Sequence, residues 1–412
     1  MSAHPKPALR EPSLSASGPF GIDPLQAART ALSPAAVSAL EQLQQALTTS
    51  VKPLMNEAWE TATMPAGVLQ ALIPLGLMAP AGVSEVEAES TTYSGFRNYV
   101  LARTDASVAT LYNAQSGLFR WTVRLGGSDE QVAEWEPQIR DFQLIGVFAL
   151  TEPEHGSDIA GGLATTAERV PAADGTGDEW IISGQKRWIG GAIGADVLAV
   201  FARSVEDGEV KCFLVPREAA GVTQEIITGK VSLRPMQNSE ITLDRVRVPD
   251  SARLQRINSW RDVATIMGRL RSDVAWIAAG IQAGALEAAT AYVREREQFG
   301  RPVASFQLVQ EKLARMAGNV TASLAFVTQL SQLQDSGVFS DENSSLAKMW
   351  VALRARETVA LAREVVGGNG ILLETDVARF FADAESIYSY EGTHEVTSLI
   401  VGRALTGASA FV

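Results

Sequence analysis

The chain reads as an α+β protein in three blocks: a helical N-terminal third, a small antiparallel β-rich middle and a C-terminal helical bundle. Three observations predict this. Apolar residues recur with helical spacing from Ala35 to about Gln138; short apolar and β-branched runs separated by Gly, Pro and Asp occupy about 143–248; and beyond Pro249 long, Ala-rich amphipathic stretches return. A length of 412 residues suits two or three domains of about 150 residues each. The expected bounds are a poorly ordered lead-in at 1–32, a helical domain at 33–142, a β domain at 143–255 and a helical bundle at 256–412.

Six of the 17 prolines lie in the first 34 residues among Ser, Ala and Gly, which gives the lead-in its character. Ser33 as N-cap and Pro34 at the first helical position then open a helix over Ala35 to Thr48. Pro65, Pro74, Pro80 and Gly126-Gly127 divide the helices that follow. Strands are expected at Leu144–Leu150, Glu179–Ser183, Asp196–Ala202, Val210–Val215 and Ser239–Val248, a spacing that suits an antiparallel barrel or sandwich. Helices are expected at Asp262–Glu297, Phe306–Asp335 and Glu342–Val366.

Composition narrows the function. Hydrophobic residues at 46% and charged residues at 20% are ordinary for a globular protein and exclude wholesale disorder. Asp and Glu exceed Lys and Arg by 47 to 35, and a net charge of -12 argues against nucleic acid as a partner. Cys212 is the single cysteine and the three His are scattered, so no metal site is expected. The longest clean apolar run, Val274–Ile281, is far shorter than the ~20 residues a bilayer requires, so no membrane association is expected. With neither a secretory signal nor a peroxisomal ending, the expected location is cytoplasmic.

Common nucleotide and hydrolase fingerprints are missing. Gly175-Thr-Gly177 is followed by Trp180 where a third Gly would be needed, and neither a P-loop nor a G-x-S-x-G elbow occurs. Four other elements stand out. Phe148-Ala-Leu-Thr-Glu-Pro-Glu-His-Gly-Ser-Asp158 is an apolar strand entering a polar loop. Gly184-Gln-Lys-Arg-Trp-Ile-Gly-Gly191 sets Trp188 at a turn between strands. Gly367-Gly-Asn-Gly370 is glycine-rich, and Tyr390-Glu-Gly-Thr393 sets a carboxylate beside small residues. Singly, each has a bland reading: an Asx turn, a core-capping ring, a helix C-cap and a solvated loop charge.

In this order and spacing the elements resemble the acyl-CoA dehydrogenase family over about residues 35–407. Arg294-Glu-Arg-Glu-Gln-Phe-Gly300, Phe306-Gln307 and Lys312-Leu-Ala314 resemble its bundle motifs. Gly229-Lys-x-Ser-Leu-Arg234, Met236-Gln-Asn238 and Gly402-Arg-Ala-Leu-Thr-Gly407 resemble the branch of glutaryl-CoA dehydrogenases and short-chain acyl-CoA oxidases.

The resemblance implies the acyl-CoA dehydrogenase-like fold, with a small antiparallel β-barrel in the middle and a C-terminal four-helix bundle, together with non-covalent FAD and oxidation of an acyl-CoA thioester to trans-2-enoyl-CoA. Glu391 matches the base that removes the α proton, while flavin N5 accepts the β hydride; Gly392 lets the backbone approach the thioester. The alternative position of the base in some relatives is Leu270 here, which cannot act as one. Phe148, Leu150, Thr151 and Trp188 match residues around the isoalloxazine. Arg296, Gln307, Gly367, Gly368 and Gly370 match groups that reach a neighbouring subunit's FAD, and Thr393 and Glu395 match further FAD contacts. A homotetramer and an electron-transfer flavoprotein as acceptor are therefore expected. Ser157 and Arg271 match substrate contacts.

Two departures qualify the likeness. Gly190 stands where most relatives place Thr or Ser near flavin N5. Ala109 and Asn113 stand where glutaryl-specific members place Arg and Ser for a distal carboxylate. A neutral, short or medium acyl chain is therefore expected, since a buried carboxylate without a cation is costly. The alternatives left open are an oxidase using oxygen, a glutaryl-CoA dehydrogenase and a non-catalytic flavin-binding paralogue.

Overall fold

A computed structural model of the chain describes residues 9–14, 18–172, 175 and 177–410. In its first third, five of nine helices begin at a capping side chain. The nine are α1 (Ala27–Ala31), α2 (Pro34–Ala46), α3 (Met55–Thr61), α4 (Ala66–Leu72), α5 (Glu85–Ala88), α6 (Thr91–Thr104), α7 (Ala106–Asn113), α8 (Arg120–Gly126) and α9 (Asp129–Arg140). The Ser33 side chain caps α2 by accepting from Ala36 N–H, and Pro34 occupies its first turn as expected. Asp105 caps α7, accepting from Ser107 and Val108 amides. A π-helical stretch, Ala114–Phe119, joins α7 to α8.

The segment 18–32 corrects the expected lead-in. Phe20 and Ala28 are buried, the Tyr99 hydroxyl donates to Phe20 O at 3.0 Å, and Arg103 donates to Pro19 O at 2.5 Å. These contacts hold the segment on α6. Residues 1–8 and 15–17 of that lead-in lie outside the described residues.

The middle block comprises β1 (Gly146–Ala149), α10 (Ile159–Gly162), β2 (Thr166–Pro171), β3 (Asp178–Gly190), β4 (Val197–Ser204), β5 (Val210–Pro216), β6 (Val222–Ile226) and β7 (Asn238–Pro249). The sheet runs β1-β4-β2-β3-β7-β6, with β5 also on β4. Two pairings correct the purely antiparallel expectation. β1 joins β4 in parallel at Val197–Val200, and β2 joins it in parallel at Arg203–Ser204, so both share one edge of β4. β3 is longer than expected because it absorbs two register shifts, Ile182/Gly184 and Lys186/Ile189. Trp188 lies in the second shift with φ 65, inside a strand rather than at a turn between strands.

The last block comprises α11 (Trp260–Glu295), the two-residue strands β8 (Glu297–Gln298) and β9 (Arg301–Pro302), α12 (Gln307–Asp335), α13 (Asp341–Val366), α14 (Val377–Ser389) and α15 (His394–Thr406). α11 is long and apolar enough to cross a membrane by length and composition alone, although the clean apolar run was short; 78% of that window is buried within the protein. Its glycines explain how it packs. A Cβ at Gly280 would lie 2.5 Å from Tyr99 O, and one at Gly284 would collide with Arg103 O, so α6 and α11 meet backbone to backbone. One core therefore spans the N-terminal helices and the bundle. A second core joins Leu150, at the end of β1, to Leu270 on α11, and this junction positions the site.

Candidate active site

The loop between α14 and α15 carries Tyr390, Glu391, Gly392 and Thr393. Thr393 starts α15 by accepting from Val396 N–H at 3.2 Å. Glu391 holds φ 52, sparsely populated for a side chain with a Cβ, and Gly392 follows at φ 97. The turn is pinned from α13. Lys348, fully buried, donates to Tyr388 O at 2.9 Å and to Gly392 O at 2.5 Å. Arg271 on α11 approaches from the other side, with its guanidinium bonded to Asp341 and its Nε buried without a partner. Arg271, which the resemblance matches to a substrate contact, is thus already paired with Asp341.

The Glu391 carboxyl is buried, and its Oε2 has no hydrogen-bond partner. Burial, and then the Asp273 carboxylate, push its pKa up to about 8, against the opposing pull of Lys348 and Arg271. Burial pushes Lys348 down to about 8. Asp273 is itself raised to about 6 by burial, with Arg97, Arg269 and a hydrogen bond from Asn113 opposing. Such a carboxyl can be ionised near neutrality and still accept a proton from a weak acid. Lys348 and Asp273 were missed in the sequence. Asp273 carried one signal, a carboxylate immediately before the apolar run Val274–Ile281 on a helix with little exposed face.

Four of the expected substrate residues converge here. Ala109 and Asn113, one turn apart on α7, are buried. Asn113 bonds Asp273 and accepts from Asn98 Nδ2 at 3.0 Å, while Thr110 Oγ1 lies 3.5 Å from the Tyr390 hydroxyl. α7, α11 and the Glu391 loop thus meet, and a Cβ at Gly392 would lie 3.6 Å from Arg271 Nε. Ser157 stands apart, exposed on the loop before α10.

The residues expected beside a flavin gather around β1 and β3. Phe148 packs on Phe201 at 4.7 Å between ring centroids. Leu150 is buried and its carbonyl accepts from Lys186 Nζ at 3.2 Å; Thr151 O accepts from Arg187 N–H at 2.8 Å. Beneath them Lys186 and Glu152 form a buried ion pair of 2.8 Å, and Glu152 also accepts from the Ala164 and Thr165 amides. Trp188 is 51% exposed. Its carbonyl accepts from Asn238 Nδ2 at 3.0 Å, and Asn238 is held by Lys230 at 2.6 Å. A Cβ at Gly190 would collide with Met236 Cε, so a methionine fills the space in which a Ser or Thr side chain would begin.

A second cluster opens outward. Arg296, Gly367 and Gly368 line a cleft of about 380 Å³ with Tyr292, Phe299 and Phe306. Gln307 begins α12 beside Phe306, and Gly370 is packed against Arg363 O, where a Cβ would stand 2.6 Å away. Glu395 is exposed on the first turn of α15. None of the residues lining this cleft is among those gathered at Glu391.

Residues 34–142, 147–246 and 260–406 match, in chain order, the N-terminal, middle and C-terminal domains of acyl-CoA dehydrogenase. The chain is 30% identical over 361 residues to a 3-(aryl)acrylate reductase of Clostridium sporogenes, covering 85% of this chain and 93% of that one. It is 29% identical over 355 residues to the mitochondrial short-chain specific acyl-CoA dehydrogenase of Bos taurus, covering 85% and 84%. Among solved structures, a glutaryl-CoA dehydrogenase of Mycobacterium smegmatis in complex with FADH2 superposes with a TM-score of 0.86 at 31% identity, over 97% of this chain and all of that one. With its three domains matched in order and its folded middle block docked on the bundle, the chain belongs to the acyl-CoA dehydrogenase family of flavin-dependent oxidoreductases.

Proposed function

We propose that this protein uses FAD to dehydrogenate the acyl chain of a CoA thioester to the trans-2-enoyl ester, with Glu391 as the base. The observation that carries this reading is the Glu391 carboxyl: buried, lacking a partner on Oε2, and held at a pKa of about 8 beside Arg271 and Lys348. The residues present fit FAD. Trp188 offers an exposed ring beside the end of β1, and the Arg296, Phe299, Gly367 and Gly368 cleft offers a guanidinium, an aromatic face and bare backbone suited to an adenosine diphosphate group.

When bound, the flavin supplies the acceptor for the β hydrogen, which departs with its electron pair. Glu391 takes the α proton, so the α C–H electrons form the new double bond. That proton is weakly acidic, and the Glu391 amide, on a turn fixed through Gly392 O by Lys348, is the chain's own donor toward the thioester oxygen. The turn is held before substrate arrives, so its geometry costs nothing further in the transition state. Ala109 supports an uncharged acyl chain, since the position offers no cation. Phe299, Leu308 and Leu405, exposed by 93%, 74% and 82%, support assembly into a homotetramer. The proposed electron acceptor is an electron-transfer flavoprotein, and rapid reoxidation of substrate-reduced enzyme in air would instead identify an oxidase.

Glu391→Gln tests the assignment of the base. The variant is expected to purify with its flavin but to show no bleaching of the flavin absorbance on adding acyl-CoA. Retained bleaching would remove Glu391 from the role.

A further inference from the structure

The loop between β6 and β7 ties three parts of the molecule together. At its centre the Lys230 ammonium donates to Leu233 O at 2.8 Å, Met236 O at 2.5 Å and Asn238 Oδ1 at 2.6 Å. Arg234 reaches α3, donating to Trp59 O at 2.7 Å and to Glu60 O at 3.2 Å. Leu233 reaches α14, where its amide donates to Oδ1 of the buried Asp383 at 2.6 Å. Asn238 reaches β3: it stands opposite Gly190, and its Nδ2 donates to Trp188 O at 3.0 Å.

The three N–H donors of Lys230 therefore meet three uncharged oxygens. Burial pushes its pKa down to about 8, with the Asp383 carboxylate pulling the other way. Keeping an ammonium here costs free energy, and closing a loop does not require one, because backbone amides suffice in ordinary turns. What the ammonium adds is one fixed point shared by two chains of bonds. One runs through Asn238 to Trp188. The other runs through Leu233 to Asp383 on α14, the helix that leads directly into Tyr390 and Glu391.

Trp188 needs such support. Its φ of 65 is strained for a residue with a large side chain, and at 51% exposure core packing does not impose that conformation. Bonds on either side do so instead. Arg187 N–H donates to Thr151 O at 2.8 Å and Gly191 N–H to Gln237 O at 3.1 Å, while Asn238 holds the Trp188 carbonyl between them.

We propose that Lys230 is a positioning residue for the dehydrogenation: through Asn238 it holds Trp188 in its strained conformation, and through Leu233 it keeps that surface in register with the helix that carries Glu391. The proposal rests on the reading that the flavin lies against Trp188 with Glu391 as the base. A hydride acceptor and a base working on adjacent carbons tolerate a misplacement of less than about 1 Å, so a shared anchor bears directly on the rate.

The test compares FAD-loaded Lys230→Met and Asn238→Asp with wild type at one protein concentration. Asn238→Asp keeps an oxygen for Lys230 but has no donor for Trp188 O, so it cuts the chain at its last link and leaves the loop tied. The Kd for flavin, read by fluorescence on release, should rise about tenfold in each variant. The double variant should lose no more than either alone, since both act through one carbonyl. With whichever straight-chain acyl-CoA wild type oxidises fastest, kcat per bound flavin should fall about tenfold while KM stays within about twofold. Flavin affinity or kcat unmoved in Lys230→Met, with only a lowered denaturation midpoint, would make the residue a structural clamp and overturn the proposal, as would additive losses in the double variant. If Lys230→Met does not fold, Asn238→Asp decides alone, and unchanged flavin affinity in it is the overturning result. Trp188→Ala separates the proposal from the reading beneath it. Unchanged flavin affinity in Trp188→Ala removes the flavin from that surface, and both fall. Weakened affinity there, without any effect of Lys230→Met or Asn238→Asp, leaves the flavin reading standing and removes only the role of Lys230.

Discussion

Glu391 carries a charge that the fold disfavours, and this has two measurable consequences. As a base it must be ionised, so kcat/KM should rise with pH through about 8 and then level off; a profile already flat at pH 6 would contradict the assignment. The second consequence is for stability. Its folded pKa of about 8 lies above the ordinary 4.5, so the native state favours the protonated form, and stability from this group is lost as pH climbs from about 4.5 through 8. Glu391→Gln is uncharged throughout. It should match wild type in thermal unfolding near pH 4 and exceed it by on the order of 5 kcal/mol at pH 9. Lys348 opposes this shift through its charge and pins the loop through two carbonyls, so it acts as a positioning residue. Lys348→Met should lower kcat and move the pH profile upward by about one unit. A fall in kcat with an unmoved profile would reduce Lys348 to scaffolding. Glu391 was legible in the sequence because it sits within a contiguous motif. Lys348 and Asp273 were not, since each acts across helices that meet only after α11, α13 and the loop have packed.

At the scale of elements, legibility followed hydrophobic contrast. The expected helices at 262–297, 306–335 and 342–366 correspond closely to α11, α12 and α13, whose long buried stripes are strong signals. β2 and β6 escaped notice because their exposed faces carry Glu168, Arg169, Thr223 and Glu225, leaving little apolar alternation. The polar partner that anchors β3 was equally hidden. Lys186 sits in the bulged strand bearing Trp188, and its ammonium ties the strand to Leu150 O and Glu152. Removing one member of a buried pair strands the other, at a cost of about 3–5 kcal/mol. Lys186→Met should therefore lower the unfolding free energy by roughly that amount and loosen flavin retention, because Trp188 and the Leu150–Thr151 backbone share this anchor. Chemical denaturation with flavin fluorescence as a second probe reads both effects. A Met variant as stable as wild type would mean that the pair contributes nothing net to the fold.

The whole molecule keeps its two candidate cofactor surfaces apart: Trp188 and the end of β1 belong to one, and the cleft of Arg296, Phe299 and Gly367–Gly368 opens outward with a different set of lining residues. An exposed Phe299 beside an arginine and bare glycines is poorly explained by an isolated chain, since such a surface is apolar, unpaired and costly to leave in water. It is accounted for if the cleft completes the flavin site of a second copy, so that association and cofactor binding are linked equilibria. Composition gave no hint of this, because the relevant contacts lie between chains and the net charge of -12 says nothing of one small cleft. The linkage predicts that dilution releases FAD together with subunits and that added FAD shifts the oligomer toward assembly, measurable by light scattering alongside flavin fluorescence. Gly368→Val should lower FAD affinity by tenfold or more, although Gly368 lies outside the Trp188 surface. Mixed oligomers of this variant with a Trp188→Ala chain should recover a fraction of intact sites, in which an unaltered Trp188 surface meets an unaltered cleft. Flavin retention that is independent of protein concentration, together with no recovery on mixing, would confine each flavin site to a single chain.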